Sequence, residues 1–191
     1  MSETATATVE QRTVWTYDDY AALPDDGNRY EVLDGELVMA PAPTIGHQVG
    51  LLNLIFAVRQ HVKSHKLGEC YIAPCDIILD PRTVVQPDFI FVSNDRSSIV
   101  TEKNIQGTPD LVVEVLSPST IQRDRVTKLR LYARFKIPHC WLLDPMTRIL
   151  EVFELDGSSY RLTAAHAENE TFTLTLFPEL SIPLNDIWGQ Q

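Results

Sequence analysis

The stretch Pro109-Asp110-Leu111-Val112-Val113-Glu114-Val115-Leu116-Ser117-Pro118-Ser119 decides the fold, because it places one carboxylate inside an otherwise apolar segment. Residues 111–116 are apolar on both faces, which is typical of a strand buried inside a sheet. Burial of an unpaired charge is costly, so Glu114 requires a partner. That partner is either a helix arginine, in a purely structural salt bridge, or a bound metal ion.

Two aspartates that follow prolines are candidates for a second ligand beside Glu114. Asp110 shares its strand and face, but four residues at about 3.3 Å each separate the two by roughly 13 Å, too far for one cation. Asp88 begins another strand, which could lie beside the Glu114 strand at about 4.8 Å. We therefore expect the carboxylates of Asp88 and Glu114 to lie within about 5 Å of each other. Asp110 is expected to have a turn or capping role.

A helix is predicted to follow, beginning at Ser119 or Thr120 and ending near Lys136, before Pro138. Its apolar spacing predicts a core-facing row, and a second row is partly charged. The core row is Val126, Leu129 and Ala133, and the second row is Asp124, Lys128, Leu131 and Phe135. The pair Asp124 and Lys128 is either part of a site or an ordinary surface ion pair.

The same helix carries six basic residues in a chain whose formal net charge is −10. Tight, sequence-blind binding to nucleic acid comes mainly from phosphate neutralisation, so the acidic balance restricts any such contact to a local patch. The basic cluster is either that patch or a solvated helix face. It consists of Arg123, Arg125, Lys128, Arg130, Arg134 and Lys136.

The remaining pattern predicts an α/β (α+β) fold, with a mixed sheet flanked by helices and extended by β-hairpins. Thr16 can cap a short helix, Asp34-Gly35 and Asp156-Gly157 mark hairpins, and residues 44–66 form an amphipathic helix. That helix is expected to bury one stripe, Leu51, Ile55, Val58 and Val62, with His47 one turn earlier. Strands are predicted at 69–73, 75–79, 88–92, 110–116 and 139–143, and residues 172–188 are expected to wrap the sheet edge.

The chain length favours a single domain over residues 14–191 after a flexible tail at 1–13. We find no secretory or membrane-spanning pattern and expect a cytoplasmic protein with no membrane partner. Its three cysteines, Cys70, Cys75 and Cys140, match no zinc pattern and are expected to be reduced thiols. His61 and His65 lack a third ligand nearby and are predicted to be surface residues.

Several of these segments resemble the Uma-two family of restriction endonucleases. The resemblance covers about residue 15 to the C-terminus and is carried by residues 30–35, Gly46-His47, 87–92, 109–119, Asp124, Lys128, Tyr132 and 141–145. It implies the PD-(D/E)XK nuclease superfamily, an αβββαβ core, a divalent metal and phosphodiester hydrolysis. It also implies that Asp88 and Glu114 are the two acids. The usual lysine two residues after the second acid is here Leu116, so a migrated lysine is implied, with Lys128 as the candidate.

The resulting hypothesis is an endonuclease in which Asp88, Glu114 and the Val115 carbonyl hold Mg²⁺ or Mn²⁺. Lys128 would orient or help deprotonate the attacking water and stabilise charge on phosphorus. Glu31, His47 and Asp124 are second-tier candidates for substrate or outer-shell contacts, and His47 could equally be a satisfied core histidine. The expected partners are nucleic acid, specifically DNA, and a second copy in a homodimer.

Two other functions are compatible with these residues. The first is a catalytically silent module that keeps the nuclease fold to bind protein or nucleic acid, which Leu116 and the acidic charge favour. The second is a metal-dependent hydrolase that acts on a small phosphorylated substrate.

Overall fold

A computed structural model of the protein describes residues 14–173 and 175–189. The predicted tail at residues 1–13 lies outside the described residues. The helices are α1 Tyr17–Ala21, α2 Ile45–His65 and α3 Leu129–Arg134, with a π-helical segment at Arg123–Lys128 and 3₁₀ turns at Asn94–Ile99 and Leu184–Asp186. The strands are β1 Arg29–Leu33, β2 Glu36–Ala40, β3 Gly68–Ile72, β4 Ile77–Asp80, β5 Thr83–Val85, β6 Phe89–Ser93, β7 Ile105–Gln106, β8 Leu111–Val115, β9 His139–Asp144, β10 Ile149–Asp156, β11 Ser159–Ala167, β12 Thr171–Thr173 and β13 Ser181–Pro183.

A six-stranded mixed sheet forms the centre of the fold, in the order β11-β10-β9-β8-β6-β3. The pairs β3–β6 and β6–β8 are antiparallel, whereas β8 and β9 run parallel. Strand β8 is buried along its whole length between β6 and β9, as its continuous apolar run predicts. The order α2, β3, β6, β8, α3, β9 is the αβββαβ core that the family resemblance implied.

A second sheet, in the order β2-β1-β5-β4-β7, lies to one side of the central sheet. Strands β1 and β2 form the predicted hairpin, and both Asp34 and Gly35 have positive φ at its two-residue turn. This backbone is the reason for the Asp-Gly pair, because such turns require positive φ at both central residues. The sequence did not predict β5 and β7, which are only three and two residues long.

Helix α2 packs on the other face of the central sheet and shares a core with β6, β8 and β9. Its cap is Thr44, whose hydroxyl accepts a hydrogen bond from the His47 amide. The buried face of α2 is rotated relative to the predicted stripe. Leu54, Val58 and Val62 are buried, whereas Leu51 and Ile55 are only partly buried. The prediction that His61 lies at the surface was wrong, because its ring is buried between His65 and Phe177.

The C-terminal segment closes this core over one face of the central sheet, and its predicted wrapping of the sheet edge stays a prediction. Phe177 makes edge-on contacts with Phe91 of β6 and Trp141 of β9, and Phe172 packs edge-on against Trp141. These aromatic side chains, Phe172 and Phe177, are the largest fully buried groups that the segment supplies.

The helix that follows β8 departs from regular α-helix at the π-helical segment, which leads directly into α3. The wider turn shifts the faces of the helix, so the predicted core row was wrong at Val126, which is 39% exposed. The charged row is the buried one: Asp124, Lys128 and Leu131 all lie inside. Single π turns inside α-helices frequently occur at functional sites.

Three smaller features complete the description of the fold. Cys70, Cys75 and Cys140 are all free thiols, as predicted. Asp110 caps the end of β6, where its carboxylate accepts a hydrogen bond from the Ser93 amide and pairs with Arg96. Across the ranges 14–173 and 175–189, every helix is too short or too polar to cross a lipid bilayer.

Candidate active site

The site lies where β6 begins and β8 ends, beside the first turn of α2, β1 and the π-helical segment. Phe89 pairs with Val113 and Ile90 with Val112, and one further step of this register places Asp88 opposite Glu114. A cavity of about 50 Å³ opens here, room for a few waters and not for a nucleotide. All the sequence-predicted site residues line it: Glu31, His47, Asp88, Glu114, Val115, Asp124 and Lys128.

Lys128 is the centre of the charged cluster. Its Nζ lies 2.9 Å from Oε1 of Glu114 on β8 and 2.9 Å from Oε1 of Glu31 on β1. Asp124, one turn earlier in the helix, is 3.9 Å away. The lysine side chain is 4% exposed, so a single ammonium joins the central sheet, the second sheet and the helix in the protein interior.

Tyr132 supplies a second donor to Glu114. Its hydroxyl donates a short hydrogen bond to the same Oε1 that accepts from Lys128. Asp124, Lys128 and Tyr132 recur every four residues, which brings all three to one side of the helix. We did not assign Tyr132 a role from the sequence, although that four-residue spacing was the available signal.

Asp88 is held from two directions through one oxygen. Its Oδ2 accepts the backbone N–H of Val115 at 2.8 Å and lies 3.2 Å from Nε2 of His47. Within residues 14–173 and 175–189, no hydrogen bond or ion pair reaches Asp88 Oδ1 or Glu114 Oε2. Each of the two acids therefore keeps one oxygen available for a ligand.

Glu31 is fixed by the chain next to Asp88. The backbone N–H of Gln86 donates to Oε1 of Glu31 at 2.7 Å, and this oxygen is also the one nearest Lys128. The Gln86 side chain in turn accepts from Nε of Arg29 and donates to Asp76. These contacts make Glu31 a residue that orients Lys128.

Negative charge exceeds positive charge in this interior. Glu31, Asp88, Glu114 and Asp124 are four buried acids around one ammonium, which gives a formal charge of −3 when all four are ionised. Burial, with the neighbouring carboxylates, raises the pKa of Glu114 well above its usual range, although Lys128 opposes this. Burial likewise raises the pKa of Asp124. Burial alone would lower the pKa of Lys128, but Glu114, Glu31 and Asp124 raise it by more.

Two arginines stand at the mouth of the cavity, Arg29 at the start of β1 and Arg123 in the π-helical segment. Arg29 uses Nε on Gln86, and Arg123 donates one terminal N–H to the Met39 carbonyl at 3.0 Å. Neither has a carboxylate partner within 4 Å among the described residues, and Nε of Arg123 is buried without an acceptor there. Sequence reasoning had grouped Arg123 with the basic cluster and had not singled out Arg29.

Two alternatives from the sequence are excluded by these contacts. The partner of Glu114 is Lys128 and not an arginine, and the pair Asp124 and Lys128 is buried, so an ordinary surface ion pair was the wrong interpretation. Other basic residues of the helix form ion pairs nearer the surface: Arg125 pairs with Glu151, and Arg134 pairs with Asp34. The basic cluster is thus divided between the buried site, which holds Lys128, and the surface.

The oxygen donors at this cavity determine whether a divalent metal fits here. Within the described residues, no three His, Cys, Asp or Glu side chains are grouped so that they could hold a metal ion. The two available carboxylate oxygens are nonetheless hard donors. Val115 adds a third, because the N–H and carbonyl of one strand residue point to the same side and its N–H faces Asp88. Such a set suits a cation that retains several waters, such as Mg²⁺.

Comparison with known protein families identifies the chain. Residues 17–185 match the model of the family Uma2, described as "Putative restriction endonuclease". The chain belongs to the Uma2 family. The Uma2 match covers nearly every element described above, from α1 to the last 3₁₀ turn, and confirms the resemblance that the sequence motifs indicated. A search of curated proteins found no match.

The fold is also that of a solved structure. The match is a crystal structure of a "putative nuclease belonging to DUF820" from Anabaena variabilis, with a TM-score of 0.74 and 17% sequence identity. The alignment covers 91% of this Uma2 chain and 97% of the other. At this identity the match establishes a shared fold, which confirms the restriction endonuclease-like architecture.

Proposed function

We propose that this Uma2 protein is a metal-dependent endonuclease that hydrolyses phosphodiester bonds in DNA. The observation that carries the proposal is the facing pair Asp88 and Glu114, each with one available oxygen, in the same cavity as a buried lysine. The family is of restriction-endonuclease type, and such enzymes generally use divalent metal ions.

Asp88, Glu114 and the Val115 carbonyl are the residues that would hold Mg²⁺ or Mn²⁺. When bound, such an ion supplies Lewis-acid polarisation of a phosphoryl oxygen and a more acidic bound water. His47 and the Val115 amide fix the Asp88 carboxylate through its Oδ2. His47 is thus a positioning residue, and the excess negative charge of the cluster favours a cation at this place.

Lys128 would orient the attacking water and stabilise charge that develops on the phosphate. An ammonium has three N–H donors, and two are directed at Glu114 and Glu31. The third has no acceptor within hydrogen-bond distance among the described residues. The neighbouring carboxylates raise the pKa of Lys128, which favours the protonated ammonium. Its role is electrostatic.

Arg29 and Arg123 would bind phosphates on either side of the scissile bond. Each keeps unused N–H donors at the mouth of an acidic cavity, and a guanidinium matches phosphate geometry. The cavity is too small for a nucleotide, so the substrate would present its backbone at the mouth. This local pair would supply the phosphate contacts that the overall charge of −10 does not.

The remaining parts of the proposal concern setting and assembly. Three free thiols suit the reducing cytoplasm, where we place the protein. We also propose that it acts as a homodimer. A catalytically silent binding module is the second candidate, because position 116 holds a buried leucine where the superfamily usually has lysine.

Cleavage of supercoiled plasmid, short single-stranded DNA and RNA, with Mg²⁺, Mn²⁺ or EDTA, tests the proposal. Wild type is expected to cleave DNA only with metal, and Glu114→Ala is expected to be inactive. Glu102→Ala, at an exposed acid away from the site, is the matched control and should keep full activity. Absence of cleavage by folded wild type with either metal would favour the silent module. Hydrolysis of small phosphate esters alone would favour a different hydrolase.

A further inference from the structure

Helix α2 carries an apolar stripe on its solvent side. Ile45 is 85% exposed, Leu52 67% and Phe56 71%, and Val49 lies between them, partly buried. At 100° per residue these four side chains fall within about 40° of one line. The line lies opposite the face that buries Leu54 and its neighbours in the core. A helix that is apolar on opposite sides is normally buried on both.

The stripe has the spacing of a helix-pairing surface. The steps between its residues are four, three and four, which is the repeat of a seam between two packed helices. It runs along about 16 Å of helix at 1.5 Å per residue. Residues 1–13 could not supply a matching apolar row, because they contain only Met1 and Val9 as apolar residues larger than alanine.

We propose that this stripe binds the same stripe of a second copy, with the two α2 helices antiparallel about a two-fold axis. The sequence positions are self-complementary: a two-fold axis midway between Val49 and Leu52 sets Val49 of each copy against Leu52 of the other. The same axis sets Ile45 of each copy against Phe56. An isologous interface requires this match of a patch with itself. The inference does not depend on the nuclease activity.

Charge on α2 selects the antiparallel arrangement. The helix contains no acidic residue, and Arg59 and Lys63 continue the stripe at its C-terminal end. In a parallel pair these cations would meet their own copies, which is unfavourable. In the antiparallel pair they extend past Ile45 of the other copy towards residues 41–44, an uncharged segment.

The exposed apolar area is large enough to form the centre of a dimer interface. Burial of Ile45, Leu52 and Phe56 would remove on the order of 400 Å² per copy from water. A stable interface buries about 800 Å² per partner, so three side chains supply about half. Phe56 at one end and Ile45 at the other would be the buried anchors.

Analytical ultracentrifugation of the full chain tests the interface. Wild type is expected at twice the mass of the 21.6 kDa chain at about 100 μM. Leu52→Asp and Phe56→Asp should each raise the dimer Kd by about 30-fold or more, the effect of losing one interface hot spot. The matched control is Leu162→Asp, at an exposed leucine of β11 on the far edge of the sheet, which should leave the Kd unchanged. Thermal melting checks that each variant is folded.

Cross-linking tests the orientation. Ile45→Cys and Phe56→Cys proteins are mixed and oxidised, and the antiparallel pair predicts a disulfide between the two variants only after mixing. Wild type, with its own three thiols, is the control. A monomeric wild type at about 100 μM, or a dimer that keeps its Kd in both aspartate variants, would overturn the interface. A monomeric wild type would indicate instead that the stripe binds an amphipathic helix of another protein. Cross-links within either single variant alone would overturn the antiparallel arrangement.

Discussion

Replacement of Lys128 by methionine should destabilise the metal-free protein strongly. Lys128 is 4% exposed, and its Nζ lies 2.9 Å from Oε1 of both Glu31 and Glu114. Methionine preserves most of the stem volume, so the main change is the loss of the one positive charge among buried acids. Removal of one partner from a buried ion pair costs about 3–5 kcal/mol. For a chain of this size, the melting temperature should fall by about 6–20 °C.

Urea unfolding in EDTA gives the free energy of unfolding directly. Lys103→Met is the matched control, because Lys103 is exposed and its loss should change stability by less than about 0.5 kcal/mol. Addition of Glu114→Gln to Lys128→Met removes the uncompensated carboxylate. The double variant should therefore recover at least about 1 kcal/mol relative to the sum of the single effects.

Mn²⁺ provides the second half of the test. A ligand at 100 times its Kd stabilises the folded state by about 2.7 kcal/mol, so Mn²⁺ should restore much of the loss in Lys128→Met. It should restore nothing when Glu114→Gln is also present. A destabilisation below about 1 kcal/mol would refute the assignment of Lys128 as the counter-ion of this cluster. A loss that Mn²⁺ leaves unchanged would refute the metal site beside it.

Three further outcomes are expected. Glu114→Ala should abolish Mn²⁺ binding in calorimetry, whereas Lys128→Ala should bind Mn²⁺ and lose cleavage; equal loss of binding would make Lys128 purely structural. Leu116→Lys added to Lys128→Ala should recover part of the cleavage rate. Loss of a buried leucine costs about 2–4 kcal/mol, so folding must be checked by thermal melting. If the folded, metal-binding double variant is no faster than Lys128→Ala, the migrated-lysine assignment is wrong. Arg29→Gln and Arg123→Gln should each raise KM and leave kcat nearly unchanged. Each should also reduce by about 1 the slope of log affinity against log salt concentration. If KM and this slope do not change, neither arginine contacts the substrate.

The fold was largely predictable because its strands and turns carry local signals. The apolar run of β8 and the Asp34-Gly35 turn each depend on a few adjacent residues, and both predictions were confirmed. The same is true of the Thr16 cap, whose capping box with Asp19 is a contact within one turn. Strands β5 and β7 were missed because they are too short to show periodicity.

The errors concern features that neighbouring elements decide. Val126 was placed in the core by a 3.6-residue period that the π-helical segment does not follow. His61 was placed at the surface because its packing partner, Phe177, is more than 100 residues away along the chain. The closeness of Glu31 to Lys128 depends on how the β1–β2 hairpin docks, which no local pattern encodes. Glu114 was identified because burial in an apolar strand demands an explanation, whereas the role of Lys128 was implied by the family resemblance.

With the proposed metal-dependent activity, the position of Lys128 between Glu31 and Glu114 would separate folding from metal supply. In proteins whose ligands repel one another, removal of the ion unfolds the chain, and metal scarcity then reduces the amount of protein. Here the lysine offsets part of the carboxylate charge at any metal concentration. The protein should consequently accumulate in a folded, idle form when divalent ions are scarce. Metal availability would then set the rate of turnover without setting protein abundance.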